Sequence, residues 1–464
     1  MPASSEHPSS GPRNGGARQK KKRNKGTPRR RRRRRASERK GEESGDEKDT
    51  FGSDVMQSVL KILTTHVWPK YTQPWQMDRP IKSSSSGCVI KYKPPGGDNR
   101  DLYVITNAHA VENAIQVRVK KNGGDAKFVA HVVAISNQRD LALLSIKDNK
   151  FWRSSGNKGS LKPIPFGRLP KLRERLTAVG YPVGGETVSI TSGVVSRIEM
   201  STYSQGGGRG PKNLVIQSDA AINDGNSGGP VLDDDAKLVG VAFESYSSSS
   251  EAEGIGYVIP TIVVRGFLED VSAHIMTAGG NSKSNFNLDG SPGPCFSWQM
   301  LENATMRKML KVKGSGILVK HIPLTSNAAK VLCKGDVVTH LIESGKGRKI
   351  PIANDGTVHR RHFGNALRND QQRILFEFFF STMRPGQMTK LQIIRGGKVK
   401  HVEYSVEQPS KFFLVPVHAS QTRPECKLKS IVMLNSYFLH FFCRPYYRRT
   451  RISSFDRRLP SRGV

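Results

Sequence analysis

From residue 54 to about residue 271 the chain is a succession of short β-rich runs separated by turns. "GCVIKYK", "LYVITN", "IQVRV", "FVAHVVAIS" and "LALLSI" come first, and "LTAVG", "TVSITSGVVSRIE", "LVIQS", "KLVGVAFE" and "GIGYVIP" follow. Strand-length runs without intervening helical periodicity predict an all-β barrel or sandwich, because a closed or stacked sheet can bury one face of so many short strands. A Gly/Ser/Lys-rich break, "RSSGNKGS" at 153–160, divides the series into halves of similar size. The pattern therefore predicts two β-barrels side by side with a cleft between them, over residues 51–272.

The rest of the 464 residues reads differently. Apolar residues make up 36% of the chain, which predicts that part of it does not fold. The formal charge of +35 is concentrated at the ends. The first forty residues carry 16 Lys and Arg against two Glu, and the residues after Val417 carry ten against two acids. Residues 1–50 read as a disordered arm, with seven consecutive Arg from Arg29 to Arg35 and then an acidic "GEESGDEKD". The basic block predicts a nuclear or nucleolar address, with incidental contact to nucleic-acid phosphates as a by-product. The middle of the chain carries no nucleic-acid-binding motif. "GGNSKSNFNLDGSPGP" lies in an expected linker, 273–295. A smaller mixed α/β module is expected over 296–408, and a basic, aromatic tail without a clear period over 409–464. The five cysteines include no C-x-x-C pair and are odd in number, which argues against a disulfide framework or a zinc site and for a reducing compartment. No signal-peptide apolar core and no run of 18 apolar residues is present, so no membrane span is expected. Neither a metal nor a cofactor is called for.

One stretch carries chemistry. "INDGNSGGPVL" places Ser227 among Gly225, Gly228 and Gly229. A hydroxyl is a poor nucleophile unless a base takes its proton, and a carboxylate must hold that imidazole in the right tautomer. His109, in "ITNAHAV", falls in a turn just after a strand expected to end near Thr106. Asp140, in "NQRDLALLSI", stands at the mouth of a strongly apolar strand, where a carboxylate is costly unless it is hydrogen-bonded. Both belong to the first half and Ser227 to the second, so an inter-barrel cleft would assemble an acyl-transfer site. The N–H groups of Gly225 and Ser227 are spaced to bind an oxyanion. Glycine at 225 accommodates the backbone this needs, and Gly228 and Gly229 let the next strand pass close behind the nucleophile. The hydrolase elbow does not fit, since no helix follows "GNSGG".

"ITNAHAV", "RDLALLSI", "AVGYPVG", "TSGVVSRI", "SDAAINDGNSGGPVL" and "GIGYVIP" together resemble, in content and order, the Deg/HtrA family of ATP-independent serine proteases. "VLKILTTHVWPKYTQPWQM" and "SSSSGCVI" bring the likeness nearest to the plant and algal nuclear Deg branch. The resemblance implies two chymotrypsin-like six-stranded barrels followed by a PDZ-like module, a catalytic triad at His109, Asp140 and Ser227, and assembly into trimers or larger homo-oligomers. It also implies protein or peptide substrates, misfolded or regulatory. Asp224 departs from the small residue or Pro usual before the catalytic Gly, and the tail after Val417 does not resemble a second PDZ-like module. The module at 296–408 would bind peptide by strand addition, with its carboxylate loop near "NATMRKMLKVKGSGILVKHI". The pocket for the residue before the scissile bond is expected from Ala221, Ile222, Val241, Ala242 and Phe243, which favours small or medium apolar side chains. The alternative is a catalytically silent, protease-shaped scaffold that binds peptides as a chaperone.

Overall fold

The computed structural model describes residues 55–408 apart from 71, 72, 74, 96–100, 154–160, 204–211, 246–254, 278–285, 344, 346 and 368–371. The basic arm, most of the 153–160 break and the tail from 409 lie outside the described residues.

Strands β1 (Val59–His66), β2 (Ile81–Lys91), β3 (Leu102–Thr106), β4 (Ala114–Lys121), β5 (Lys127–Ser136) and β6 (Leu141–Ser145) form the first barrel. Their order is β5-β4-β1-β2-β3-β6, and pairing of β5 with β6 closes the ring. Strands β7 (Arg175–Gly180), β8 (Ser189–Ser201), β9 (Asn213–Ser218), β10 (Pro230–Leu232), β11 (Leu238–Ser245) and β12 (Gly256–Pro260) close a second barrel in the order β10-β11-β12-β9-β8-β7. Closure leaves no unpaired sheet edge, which is why short strands suffice. Leu60, Ile62, Val104, Leu144 and Phe151 fill the first barrel. Ile216, Val231, Val241, Phe243 and Ile259 are buried in the second.

Two elements escaped the reading of the sequence. Strand β1, "VLKILTTH", is buried or half-buried along its whole length, so the alternation that betrays a strand is missing. A 17-residue helix, α1 (Thr261–Thr277), follows β12 directly. Its buried Val263, Val264, Phe267, Leu268 and Val271 repeat at helical spacing, a signal present in the sequence but overlooked. Among the described residues, parts of the expected linker are built into regular structure. Helix α1 occupies its start. Phe286–Asn287 then adds to β5 as a short parallel strand, β13, and Leu288 N donates to Ile135 O at 2.7 Å. Gly290 N donates to Gln138 Oε1 at 3.0 Å, so the first barrel satisfies backbone N–H groups on both sides of Asp289.

The following module has a sheet in the order β14 (Ser297–Gln299), β15 (Ile317–His321), β16 (Val337–Ile342), β20 (Met388–Arg395) and β21 (Lys398–Ser405). The intervening β17 (Lys349–Pro351) pairs with β16, and β18 (Thr357–His359) pairs with β19 (Arg373–Leu375). The module rests on the second barrel. Arg360 Nη2 donates to Ile198 O at 2.6 Å, and Lys212 Nζ lies 3.0 Å from Glu377 Oε2. Among the described residues no helix is long and apolar enough to cross a membrane.

Candidate active site

The antiparallel ladder of β3 and β6 ends at the pair Thr106–Ala142. Just beyond it the chain turns through His109 on one side and arrives through Asp140 on the other, so the ladder delivers both to one end of the barrel. His109 Nδ1 lies 2.8 Å from Asp140 Oδ2 and 3.0 Å from Oδ1. The backbone N–H of His109 also donates to Oδ1, at 3.0 Å. These donors offset the cost of a carboxylate that is 0% exposed. Asp140 takes a left-handed backbone conformation, φ +48°, which Asp tolerates better than most residues. Asn107 Nδ2 holds its carbonyl at 3.0 Å. The negative charge of Asp140 is felt nearby: burial first, and then that charge, push the Tyr203 hydroxyl well above its ordinary pKa. With Nδ1–H given to the carboxylate, Nε2 of His109 carries the lone pair a general base needs.

Ser227 comes from the other barrel, in the turn before β10. Its backbone is fastened to the first barrel. Ser86 N, on β2, donates to Ser227 O at 2.9 Å, and Thr106 Oγ1 donates to Ser86 O at 2.8 Å. Two hydrogen bonds thus connect Ser227 to a residue three positions before His109. Gly225 has φ +95°, and a Cβ there would stand 2.4 Å from Tyr181 O. Gly228 has φ +86°, and a Cβ would meet Ser86 O at 2.2 Å; one on Gly229 would meet Val179 O at 2.3 Å. The glycines therefore serve both backbone conformation and close approach. Among the described residues, neither Gly225 N–H nor Ser227 N–H donates to a backbone carbonyl. Two such groups beside a hydroxyl suit an oxyanion. Asp224 is exposed, and its carbonyl accepts from Val183 N at 2.8 Å.

The expected pocket residues divide by burial. Ile222, Val241, Ala242 and Phe243 are buried, and Ala221 is exposed. Gly228 N donates to Ala242 O at 2.8 Å, which ties the middle of β11 to the Ser227 turn. Ser86 was missed. It is 0% exposed, and its Oγ donates to Gly225 O and accepts from Tyr181 N, both at 2.7 Å. The signal was there in "SSSSGCVI", since buried hydroxyls in an apolar strand need partners.

The third module offers strand edges of its own. Strand β15, within the stretch assigned to the carboxylate loop, lies inside its sheet. It pairs with β14 (Trp298–Val319) on one side and β16 (Ile317–Val338) on the other, so it has no edge for a peptide to join. Among the described residues β14 and β21 end this strand order, each paired with one neighbour, and β14 is the edge beside β15. Its Trp298 donates from Nε1 to Glu377 Oε1 at 2.8 Å and packs edge-on against Phe376.

Comparison with known proteins agrees with this geometry. Residues 86–241 match the family described as trypsin-like peptidase domain. Protease Do-like 2, chloroplastic, of Arabidopsis thaliana is 38% identical over 373 residues, covering 80% of this chain and 54% of that protein. Protease Do-like 4, mitochondrial, of the same plant is 34% identical over 400 residues, covering 86% of this chain and 67% of that protein. The chain thus spans about half the length of the first of these relatives and two thirds of the second. Among solved structures, the HtrA-type protease AlgW with tripeptide superposes with a TM-score of 0.51 at 23% identity, covering 78% of this chain and 96% of that one; it supports the fold. The chain belongs to the Do-like, or Deg/HtrA, family of proteases.

Proposed function

We propose that this protein is a serine endopeptidase that cleaves misfolded or regulatory proteins through an acyl-enzyme, with Ser227 as nucleophile, His109 as base and Asp140 as the group that orients the base. The observation that carries the reading is the Asp140–His109 pair at 2.8 Å, tied through Thr106 and Ser86 to a Ser227 turn whose Gly225 and Ser227 N–H groups donate to no backbone carbonyl among the described residues. His109 takes the Ser227 proton as Oγ attacks the carbonyl carbon, and the two N–H groups receive the developing charge. His109 then returns the proton to the leaving amine, and water repeats the sequence on the ester. Comparing wild type with Ser227→Ala for casein hydrolysis and fluorophosphonate labelling tests this. Wild type is expected to be active and labelled, and the variant neither. An unlabelled, inactive wild type across temperature and pH would instead support the silent scaffold.

The finer points belong to the same proposal. Buried Ile222, Val241, Ala242 and Phe243 favour cleavage after Val, Ala, Leu or Met, and a library profile dominated by Lys or Arg would overturn that. The third module is PDZ-like and takes a peptide along the β14 edge. The protein is nuclear, of the plant and algal nuclear branch, and homo-oligomeric. A fluorescent fusion lacking residues 18–40 is expected to leave the nucleus.

A further inference from the structure

One row of cross-strand neighbours on the first barrel meets the second barrel beside the oxyanion donors. Ser86 on β2 stands opposite Lys61 on β1, and Lys61 opposite Lys120 on β4. Such partners project from the same face of a sheet, with Cβ atoms about 5 Å apart. All three reach toward one loop, residues 181–186, between β7 and β8. Ser86 Oγ accepts from Tyr181 N at 2.7 Å at the start of the loop. At its end Lys61 Nζ, on a side chain only 8% exposed, donates to Gly185 O at 2.8 Å and Glu186 Oε1 at 2.9 Å. Lys120 Nζ donates to Glu186 Oε2 at 2.9 Å. Between these anchors the loop closes on itself, Gly185 N donating to Pro182 O at 2.9 Å.

The middle of the loop touches the site. Val183 N donates to Asp224 O at 2.8 Å. A peptide unit is planar and trans, so the carbonyl of Asp224 and the N–H of Gly225 point in opposite directions. With the carbonyl captured by the loop, Gly225 N–H is turned away from the loop. Rotation of this one peptide would put a carbonyl oxygen where the donor now stands. The loop's position therefore selects the orientation of an oxyanion donor.

We propose that Lys61, Lys120 and Glu186 form an electrostatic clamp that holds the 181–186 loop against the first barrel and thereby keeps the Gly225 N–H in its donor orientation. Glu186 is a positioning residue; it acts through the loop rather than on substrate. The inference rests on the serine-protease reading. Hydrogen bonds from Lys120 and then Lys61 push the Glu186 carboxyl down to about 2. The other charged group beside them is Asp125, 3.7 Å from Lys120 Nζ. A depressed carboxyl pKa means that the pairing is present above the ordinary carboxylate range and is lost as pH falls toward that value. The clamp is thus closed throughout the neutral range in which a histidine base works.

The test is Glu186→Gln in the full chain, a change of charge at nearly constant shape on a side chain 71% exposed. With a chromogenic peptide, kcat is expected to fall about tenfold with KM within about twofold, because an oxyanion donor acts chiefly in the transition state. Fluorophosphonate labelling is expected to slow by a similar factor while the thermal midpoint holds. Raising salt from about 0.01 to 1 M shortens the screening length from about 30 to about 3 Å, so wild type is expected to approach the variant while the variant changes little. Glu186→Asp, which keeps the charge, is expected to recover part of the rate. If Glu186→Gln has a lowered thermal midpoint, Lys120→Gln decides: it is expected to lower kcat in the same direction, and unchanged kcat overturns the clamp. If wild type is labelled and Glu186→Gln matches it at low salt, the clamp is wrong and the protease reading stands. If wild type itself is never labelled, the protease reading fails and the clamp with it.

Discussion

The two barrels have the same architecture but contribute to the proposed site in different ways. The first supplies side chains: an imidazole and a carboxylate at the ends of β3 and β6, 2.8 Å apart. The second supplies one hydroxyl and, around it, backbone. Gly225 at φ +95° and Gly228 at φ +86° contribute conformation and the space left by missing Cβ atoms. A side chain can be altered at nearly constant shape, whereas a backbone donor can be lost only by moving the chain. Chemistry on the first barrel should therefore respond to isosteric substitution, and on the second barrel to bulk and to loop position.

Four substitutions probe that difference, in order of expected effect. Asp140→Asn keeps the shape of the first barrel's pair but reverses the hydrogen-bond preference at Nδ1, so kcat is expected to fall about 10⁴-fold while the fold persists. Steady-state kinetics and circular dichroism check both halves; an active variant would remove Asp140 from the site. Gly225→Ala adds a Cβ 2.4 Å from Tyr181 O at a positive φ. A kcat loss of about 10²–10³-fold is expected, with a smaller change in KM, as for removal of one oxyanion donor. Wild-type turnover in that variant would show that the second barrel's backbone is not what stabilises the transition state. Ser86→Ala tests the seam. It leaves the Gly225 carbonyl and the Tyr181 N–H unpaired in a buried place, and is expected to cost about 1–3 kcal/mol in denaturant unfolding besides lowering kcat. Stability equal to wild type would mean that the two barrels are held together by something else. Asp224→Asn should do least, less than about twofold in kcat/KM, because this exposed carboxylate is screened by solvent. A larger change would mean that its charge reaches the oxyanion after all.

The same contrast explains what could be read without coordinates. His109 and Asp140 stood out as candidates because each is a costly residue type at a strand end, and the structure pairs them; Ser227 stood out because glycines surround it. Strand β1 was not, since burial on both faces erased its alternation. Ser86 was passed over because a run of four serines looks like surface, although the apolar residues that follow signal burial, and β2 buries the last two of the four. Which strands of the third module lie at the rim of its sheet was not legible for a similar reason: it depends on pairing order, which no local pattern encodes.

By itself the sequence determined residue types and local geometry: short strands, a break between halves, a histidine, an aspartate and a serine in the right surroundings, and glycines where a Cβ would clash. These follow from side-chain burial and backbone sterics, which act over a few residues. Only the tertiary structure decided which groups meet between the barrels. The links from Ser86 to Gly225 and from Lys61 to Gly185 span 139 and 124 residues of chain, and the Val183–Asp224 bond crosses between two loops. Such contacts depend on how closed barrels are set against one another, and a hydrogen bond carries no sequence periodicity to announce it.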